Sequence, residues 1–402
     1  MSDKIRNFVS DFESKTNPES AVKYINKDDS IKILFKQKDA TDEEIVIRKF
    51  PNDINSIMNK SVILYGPSGS GKTRIIRDFM HTTKLCYPLV FAFVPTNAQK
   101  HDYDSLIPKP LVFESFDLKN IKEIYTRQKS TTEVYNNANN LKILNSLFLR
   151  IATPKDKIFH KKLLFFKDHA ITKSEQKNQS LADKKSKYDE IEEIFKNKLI
   201  HFYKQVINPN VRKLQAMDLS EKEKYALTFR NLNPRILILF DDAFTEVMDL
   251  IRKGKKQKDE TIKNFFYKGR WANITHWYGF QDEKGLDSEI RKNVFINVFT
   301  DKQVAMSYFT RPANSFTCLE KKKAEAVINA VFSEENIPQH YKLVYSRSDK
   351  NKFYYIIANE YVDNDIQMCS KSVRDFCKKI GKVEDNFDTN NPFFAAFKNQ
   401  ID

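Results

Sequence analysis

Eight consecutive residues, "GPSGSGKT" at 66 to 73, have types and a spacing suited to holding phosphate. They satisfy the pattern G-x-x-x-x-G-K-[ST] in full. Gly66, Gly69 and Gly71, with Pro67, Ser68 and Ser70 between them, let the backbone turn tightly and aim successive N–H groups at the phosphates of a nucleotide such as ATP. Lys72 would reach the β- and γ-phosphates, and the Thr73 hydroxyl would ligate Mg²⁺. Such a cradle also needs an acid for the metal. In "RILILFDD" an apolar run delivers Asp241 to the C-terminal end of a buried strand, the edge where ligands bind in such sheets. Asp242 beside it could polarise an attacking water. Its competing role is a cap on the following helix.

Gln281 ends the strand-like "NITHWYGFQ" and would place an uncharged amide at the same edge, in reach of the γ-phosphate or the lytic water. The alternative is a surface amide after a strand. His276 and Trp277 in that stretch are assigned to packing. Charge on a transferred phosphoryl group is often met by a neighbouring subunit's guanidinium, for which Arg270 and Arg291 are the candidates. Each also reads as a salt-bridge or DNA residue. Between 251 and 271, the cations Arg252, Lys253, Lys255, Lys256 and Lys258 are set against Asp259 and Glu260. Phe265, Phe266, Tyr267 and Trp271 interleave with them, a composition that could follow a phosphate backbone without reading sequence. A solvated helix face would have the same composition.

The elements that must position these residues follow from periodicity. "SVILY" at 61 to 65 reads as a strand, and Ile75, Ile76 and Phe79 after the glycine loop repeat at helical spacing. "LVFAFVP" at 89 to 95 and "RILILF" read as strands covered on both faces. "YDSLIPKPLVF" reads as loop and strand, and "VFINVFT" at 294 to 300 as a further strand. Alternating runs "SIKILFKQ" and "EEIVIRKF" predict a hairpin near the N-terminus, and "YKLVYSR" with "KFYYIIANE" a second near the C-terminus. Charged segments with helical periodicity, such as "KKSKYDEIEEIFKNKLIHFYKQVI", predict a helical insertion at about 115–230. The expected organisation is an N-terminal extension over 1–60, a nucleotide-binding core over 61–310 interrupted by the insertion, and a C-terminal region over 311–402. The tail "NFDTNNPFFAAFKNQID" reads as a partly flexible end.

A chain of 402 residues with 41% hydrophobic content can bury a sizeable core. The net charge of +15 favours polyanions, although abundant Lys and Asn with only 8 Gly also fit AT-biased coding. No apolar run is long enough to span a membrane and no signal peptide is evident, so the expectation is a soluble, non-secreted protein. Cys86, Cys318, Cys369 and Cys377 lack zinc-site spacing and are expected to be reduced, packed thiols.

Taken in order, "GPSGSGKT", "FVPTN" followed by "YDSLIPKPLVFE", "IYTRQ", "ILILFDD", "KGRWANITHWYGFQ" and "IRKNVFINVF" resemble the genome-packaging ATPases of large cytoplasmic DNA viruses and virophages. These are the poxvirus-type branch of the FtsK/HerA superfamily. The resemblance covers roughly residues 60 to 300, less the insertion, and the hairpin near 342 to 360 is similar to that family's C-terminal strands. It implies an α/β fold of the RecA-like (ASCE) P-loop class, with a mostly parallel central sheet flanked by helices. It assigns Lys72 and Thr73 to ATP and Mg²⁺, Asp241 and Asp242 to metal and water, and Gln281 to sensing. The implied activity is ATP-driven translocation of double-stranded DNA into a preformed capsid by a hexameric or pentameric ring. Capsid or portal-vertex proteins would be its partners, in the host cytoplasm or virion. Arg270-Trp271 departs from the family's usual Arg-His, and the insertion is longer than expected. A helicase or other remodelling ATPase shares the same nucleotide site, and a nucleotide-switched capsid-associated scaffold is the reading from a different class. A P-loop kinase would need an arginine-rich lid that the lysine-rich insertion does not supply.

Overall fold

The computed structural model describes residues 22–25, 30–35, 42–95, 102–175, 181–281, 286–334, 340–347, 349, 352–359, 361 and 366–381. The C-terminal tail and the end of the "FVPTN" motif lie outside them. The chain divides into two compact units, one comprising Met1–Tyr125 with Arg235–Asp402 and the other Thr126–Pro234.

The first unit is built on one sheet of eleven strands. In chain order these are β1 (Val22–Ile25), β2 (Ser30–Phe35), β3 (Glu43–Lys49), β4 (Val62–Tyr65), β5 (Leu89–Phe93) and β6 (Val112–Phe113). They continue as β7 (Ile236–Asp241), β8 (Ile274–Phe280), β9 (Ile296–Phe299), β10 (Lys342–Ser346) and β11 (Phe353–Ile356). Across the sheet the order is β1-β2-β3-β11-β10-β9-β4-β8-β7-β5-β6. The neighbours from β9 to β6 are all parallel. Strand β10 is antiparallel to both β9 and β11, and β3 joins β11 in parallel. Both sequence-predicted hairpins therefore extend one sheet, the first as β2 and β3 and the second as β10 and β11.

Parallel strands need crossover connections that cover both faces, so their residues are buried on both sides. Every residue of β4, β7, β8 and β9 is buried. This is why these strands read as continuous apolar runs while β3, at "EEIVIRK", buries only Ile47 fully and leaves its ends exposed. The helix Lys72–Thr83 turns Ile75, Ile76, Phe79 and Met80 into the core, and Phe244–Lys256 turns in Val247, Met248, Leu250 and Ile251. Placing β8 between the phosphate-loop strand β4 and the acid-bearing strand β7 gives the strand order of the RecA-like P-loop class, with helices on both faces.

His276 and Trp277 pack as expected. Trp277 is fully buried, edge-on to Phe79 and Tyr87. His276 lies among Phe240, Phe265, Phe266 and Tyr278, and burial drives its pKa down to about 3, so the ring is neutral. All four cysteines are free, but Cys318 is exposed at the start of the helix Cys318–Val331 rather than packed. A cysteine at the first position of a helix lies before the apolar stripe that faces the sheet. Cys369 and Cys377 are buried.

The unit Thr126–Pro234 is helical and has its own core, formed by Leu144, Leu147, Phe148, Phe202, Tyr203, Ile207 and Leu214. Glu223 is fixed there by Ser146 and by both Nε and Nη2 of Arg150, and it closes a capping box with Ser220.

Candidate nucleotide site

The parallel register carries the C-terminal ends of β4, β7, β8 and β9 to one edge. Tyr65 is level with both Phe280 and Phe299, and Asp241 is level with Gly279. The glycine loop leaves β4 at this edge. Gly69 and Gly71 adopt φ of 74° and 96°, left-handed values that a side chain resists, and Gly71 is the N-cap of the helix Lys72–Thr83. Gly66 is needed for a different reason, because a Cβ there would collide with Thr300 Oγ1.

Neighbouring strands fix both ends of the loop. Gly66 N–H donates to Phe280 O at 3.1 Å, the carbonyl just before Gln281. Thr300, directly after β9, donates through Oγ1 to Tyr65 O at 3.0 Å, and its hydroxyl meets Ser70 Oγ at 2.6 Å. Lys72 is buried, and its ammonium donates to Gly66 O at 2.8 Å and Pro67 O at 3.1 Å, 3.8 Å from Asp242 Oδ1. The loop is thus already wound around the lysine charge.

Asp241 is 2% exposed. Tyr103 donates its hydroxyl to Oδ2 at 2.6 Å, whereas Oδ1 has no hydrogen-bond partner. Burial, the dominant effect, lifts its pKa to about 6, against the lowering effect of the Tyr103 hydrogen bond. A buried carboxylate oxygen without a donor costs free energy unless something cationic meets it. That orphaned oxygen beside the phosphate loop fits a Mg²⁺ ligand. Gly279 makes room for it, since a Cβ on β8 at that position would collide with Asp241 Oδ1.

Asp242 takes a left-handed φ of 50°, and its N–H donates to Gly279 O at 2.9 Å. The helix after it begins at an N-cap of Ala243 with no side-chain cap, so Asp242 is not the capping residue. Gln281 is exposed at the end of β8, next to the carbonyl that holds Gly66. Lys72, Thr73, Asp241, Asp242 and Gln281 therefore share one sheet edge.

The two arginines do not join them. Arg270 precedes β8 and Arg291 precedes β9, at the opposite edge of the sheet. The seven-residue strand β8 spans roughly 20 Å, so Arg270 does not reach a nucleotide held by its own chain. Arg291 is buried, whereas Arg270 is exposed and lies over the rings of Trp271 and Phe295.

The expected patch of interleaved cations and aromatics does not form as such. Phe265, Phe266 and Tyr267 are buried on the helix Glu260–Lys268, with Phe265 and Phe266 packed against His276 of β8 and Phe240 of β7, and only Trp271 is exposed, at 73%. The cations are at the surface, with Lys255 paired to Asp287 at 2.6 Å and Arg252 to Asp249 at 3.2 Å.

Sequence reasoning missed Gly279, Tyr103 and Thr300 as parts of this edge. Gly279 had a usable signal, since an isolated glycine inside a strand marks close backbone approach. Tyr103 was visible only within "YDSLIPKPLVFE", and nothing local marked Thr300.

Strand order, glycine loop and buried acid together define the RecA-like P-loop fold. The chain is 26% identical to the uncharacterized protein B354L of African swine fever virus over 354 residues, covering 85% of this chain and 93% of the relative. The same protein from the Badajoz 1971 strain matches equally. No family model matches. Among solved structures the chain is similar to the pCW3 conjugation coupling protein TcpA with ATPγS, at a TM-score of 0.36 and 14% identity over 91% of this chain and 75% of that one. It is also similar to VirB4 of Thermoanaerobacter pseudethanolicus, at a TM-score of 0.31 and 12% identity over 75% and 89%. These likenesses are too loose to bear on function. Among the described residues no helix is long and apolar enough to cross a membrane.

Proposed function

We propose that this chain is an ATP-hydrolysing motor that translocates double-stranded DNA, and that its task is packaging a viral genome into a preformed capsid. The observation that carries the hydrolytic part is the convergence of Lys72, Asp241, Asp242 and Gln281 on one sheet edge. Thr73 and Asp241 Oδ1 would hold Mg²⁺, which when bound would supply positive charge to offset that of the phosphates. Lys72 holds the γ-phosphate, turning from the loop carbonyls that it now bonds. Asp242 takes up the proton of the attacking water, and Gln281 orients that water. Arg270, exposed at the far edge, is the residue a neighbouring subunit in a hexameric or pentameric ring would receive. The charge of +15 supports a polyanionic substrate. The ordered motifs and a relative in African swine fever virus support the packaging role, in the host cytoplasm or virion with capsid or portal-vertex proteins as partners.

The test is the steady-state ATPase rate with and without linear double-stranded DNA, with the protein's mass in solution recorded alongside. DNA-stimulated turnover accompanied by ring assembly supports the motor. Turnover by a monomer that ignores DNA would overturn translocation and favour a nucleotide-switched scaffold, and unwinding of a forked duplex would favour a helicase.

A further inference from the structure

The "YDSLIP" segment enters the nucleotide site directly. Tyr103 is fully buried and spends its hydroxyl hydrogen on Asp241 Oδ2 at 2.6 Å. The other oxygen, Oδ1, has no hydrogen-bond partner and lies where β8 has a glycine instead of a side chain. One oxygen is therefore tied and the other presented. A carboxylate with two free rotational settings would present either oxygen, or neither, to a metal. A short hydrogen bond on one side removes that freedom, the usual work of a group standing behind a metal ligand.

The segment carrying Tyr103 is anchored on both sides of the tyrosine. Arg77, on the helix that follows the phosphate loop, donates through Nη2 to Asp102 O at 2.9 Å and stands 3.8 Å from its carboxylate. Leu106 O accepts from Met368 N–H at 2.9 Å, and Leu106 and Ile107 are buried. The segment thus spans from the phosphate-binding helix to the acid-bearing strand. A tyrosine held this firmly has one setting to offer the carboxylate.

We propose that Tyr103 is a positioning residue for the metal: its hydroxyl fixes Asp241 so that Oδ1 stays turned toward a magnesium–nucleotide complex, with Arg77 and Asp102 holding the tyrosine in place. This rests on the assignment of Asp241 as the metal-binding acid. Tyr103 touches neither metal nor nucleotide. Its removal therefore acts on metal recruitment and leaves contacts between the phosphates and the loop amides alone.

The experiment is binding of the fluorescent nucleotide mant-ATP to the full chain, first without divalent ion and then titrated with Mg²⁺, compared across wild type, Tyr103→Phe, Arg77→Gln and Asp241→Asn. The expected result for Tyr103→Phe is unchanged affinity without metal and a Mg²⁺ concentration for half-effect raised about fivefold to tenfold. Turnover at saturating ATP should fall while KM for ATP barely moves. Arg77→Gln, which leaves the carboxylate untouched, should shift the Mg²⁺ half-effect in the same direction by a smaller factor. It also keeps the inference testable if Tyr103→Phe does not fold. An unchanged Mg²⁺ half-effect in Tyr103→Phe, with Asp241→Asn strongly shifted, overturns the positioning role and leaves the metal assignment standing. An unchanged Mg²⁺ response in Asp241→Asn overturns the metal assignment itself.

Discussion

Acid should loosen this sheet through one residue, His276. The ring lies at the middle of β8, 3% exposed, and burial alone holds its pKa near 3 against an ordinary value of 6.5. A folded pKa below the unfolded one means that the unfolded chain binds the proton first. The stability associated with the neutral ring is therefore present above pH 6.5 and is lost as pH falls from 6.5 toward 3. Between pH 7 and pH 5 the unfolded imidazole becomes almost fully charged while the folded one stays neutral, which costs about 2 kcal/mol. Asp241 works in the opposite sense, because burial raises its pKa to about 6, but it is common to wild type and variant and cancels in their difference. The perturbation is His276→Phe, with His276→Leu as a second variant because Gly269 approaches the ring closely. Urea unfolding followed by the fluorescence of buried Trp277, the neighbouring residue, reports this part of the sheet. The expected outcome is that wild type loses about 2 kcal/mol more than either variant between pH 7 and pH 5, whatever the variants' absolute stability. Equal pH dependence in all three would show that the ring accepts a proton in the folded state, and the reasoning from burial would be wrong.

Other expectations concern the site. Lys72→Ala should abolish nucleotide binding, while Asp242→Asn should retain binding and lose at least about a hundredfold in turnover, as removal of a group positioned for proton transfer typically does. Near-normal hydrolysis by Asp242→Asn would remove it from the mechanism. Gly279→Ala should cost about tenfold or more in Mg²⁺-dependent nucleotide affinity, roughly 1.4 kcal/mol, because the new methyl group occupies the place of Asp241 Oδ1. Retained affinity, measured by calorimetry, would mean that the carboxylate has another position to adopt. Replacing Lys253, Lys256 and Lys258 by Gln should weaken DNA binding independently of sequence and reduce the slope of log affinity against log salt by about 0.9 for each phosphate that is no longer neutralised. An unchanged slope would move the DNA path away from the helix Phe244–Lys256.

Much of the nucleotide site is local, and so it was legible in the chain. The glycine loop carries its own geometry: left-handed φ at Gly69 and Gly71 and a helix beginning at Lys72 are properties of eight adjacent residues. Asp241 could be placed because a strand buried on both faces must be apolar until its exit, so a carboxylate at the end of "ILILF" marks the edge. Periodicity, being short-range, also gave both hairpins and the strand character of β4, β5, β7, β8 and β9.

Other features depend on contacts between residues distant in the chain. Thr300 and Ser70 are 230 positions apart and Tyr103 and Asp241 are 138 apart, and no local pattern announces either pair. The aromatics at 265 to 267 looked available to a ligand because composition cannot say which side of a helix faces the sheet, and packing against β7 and β8 decided it. Arg270 and Arg291 were indistinguishable as sequence, and strand direction put both at the far edge while burial separated them. The sequence by itself determined which residues could hold a phosphate and a metal, since those capacities belong to side-chain chemistry and the nearest few backbone angles. Only the tertiary structure decided which groups stand behind them and which face outward, because strand order and register are set by burial of the whole sheet.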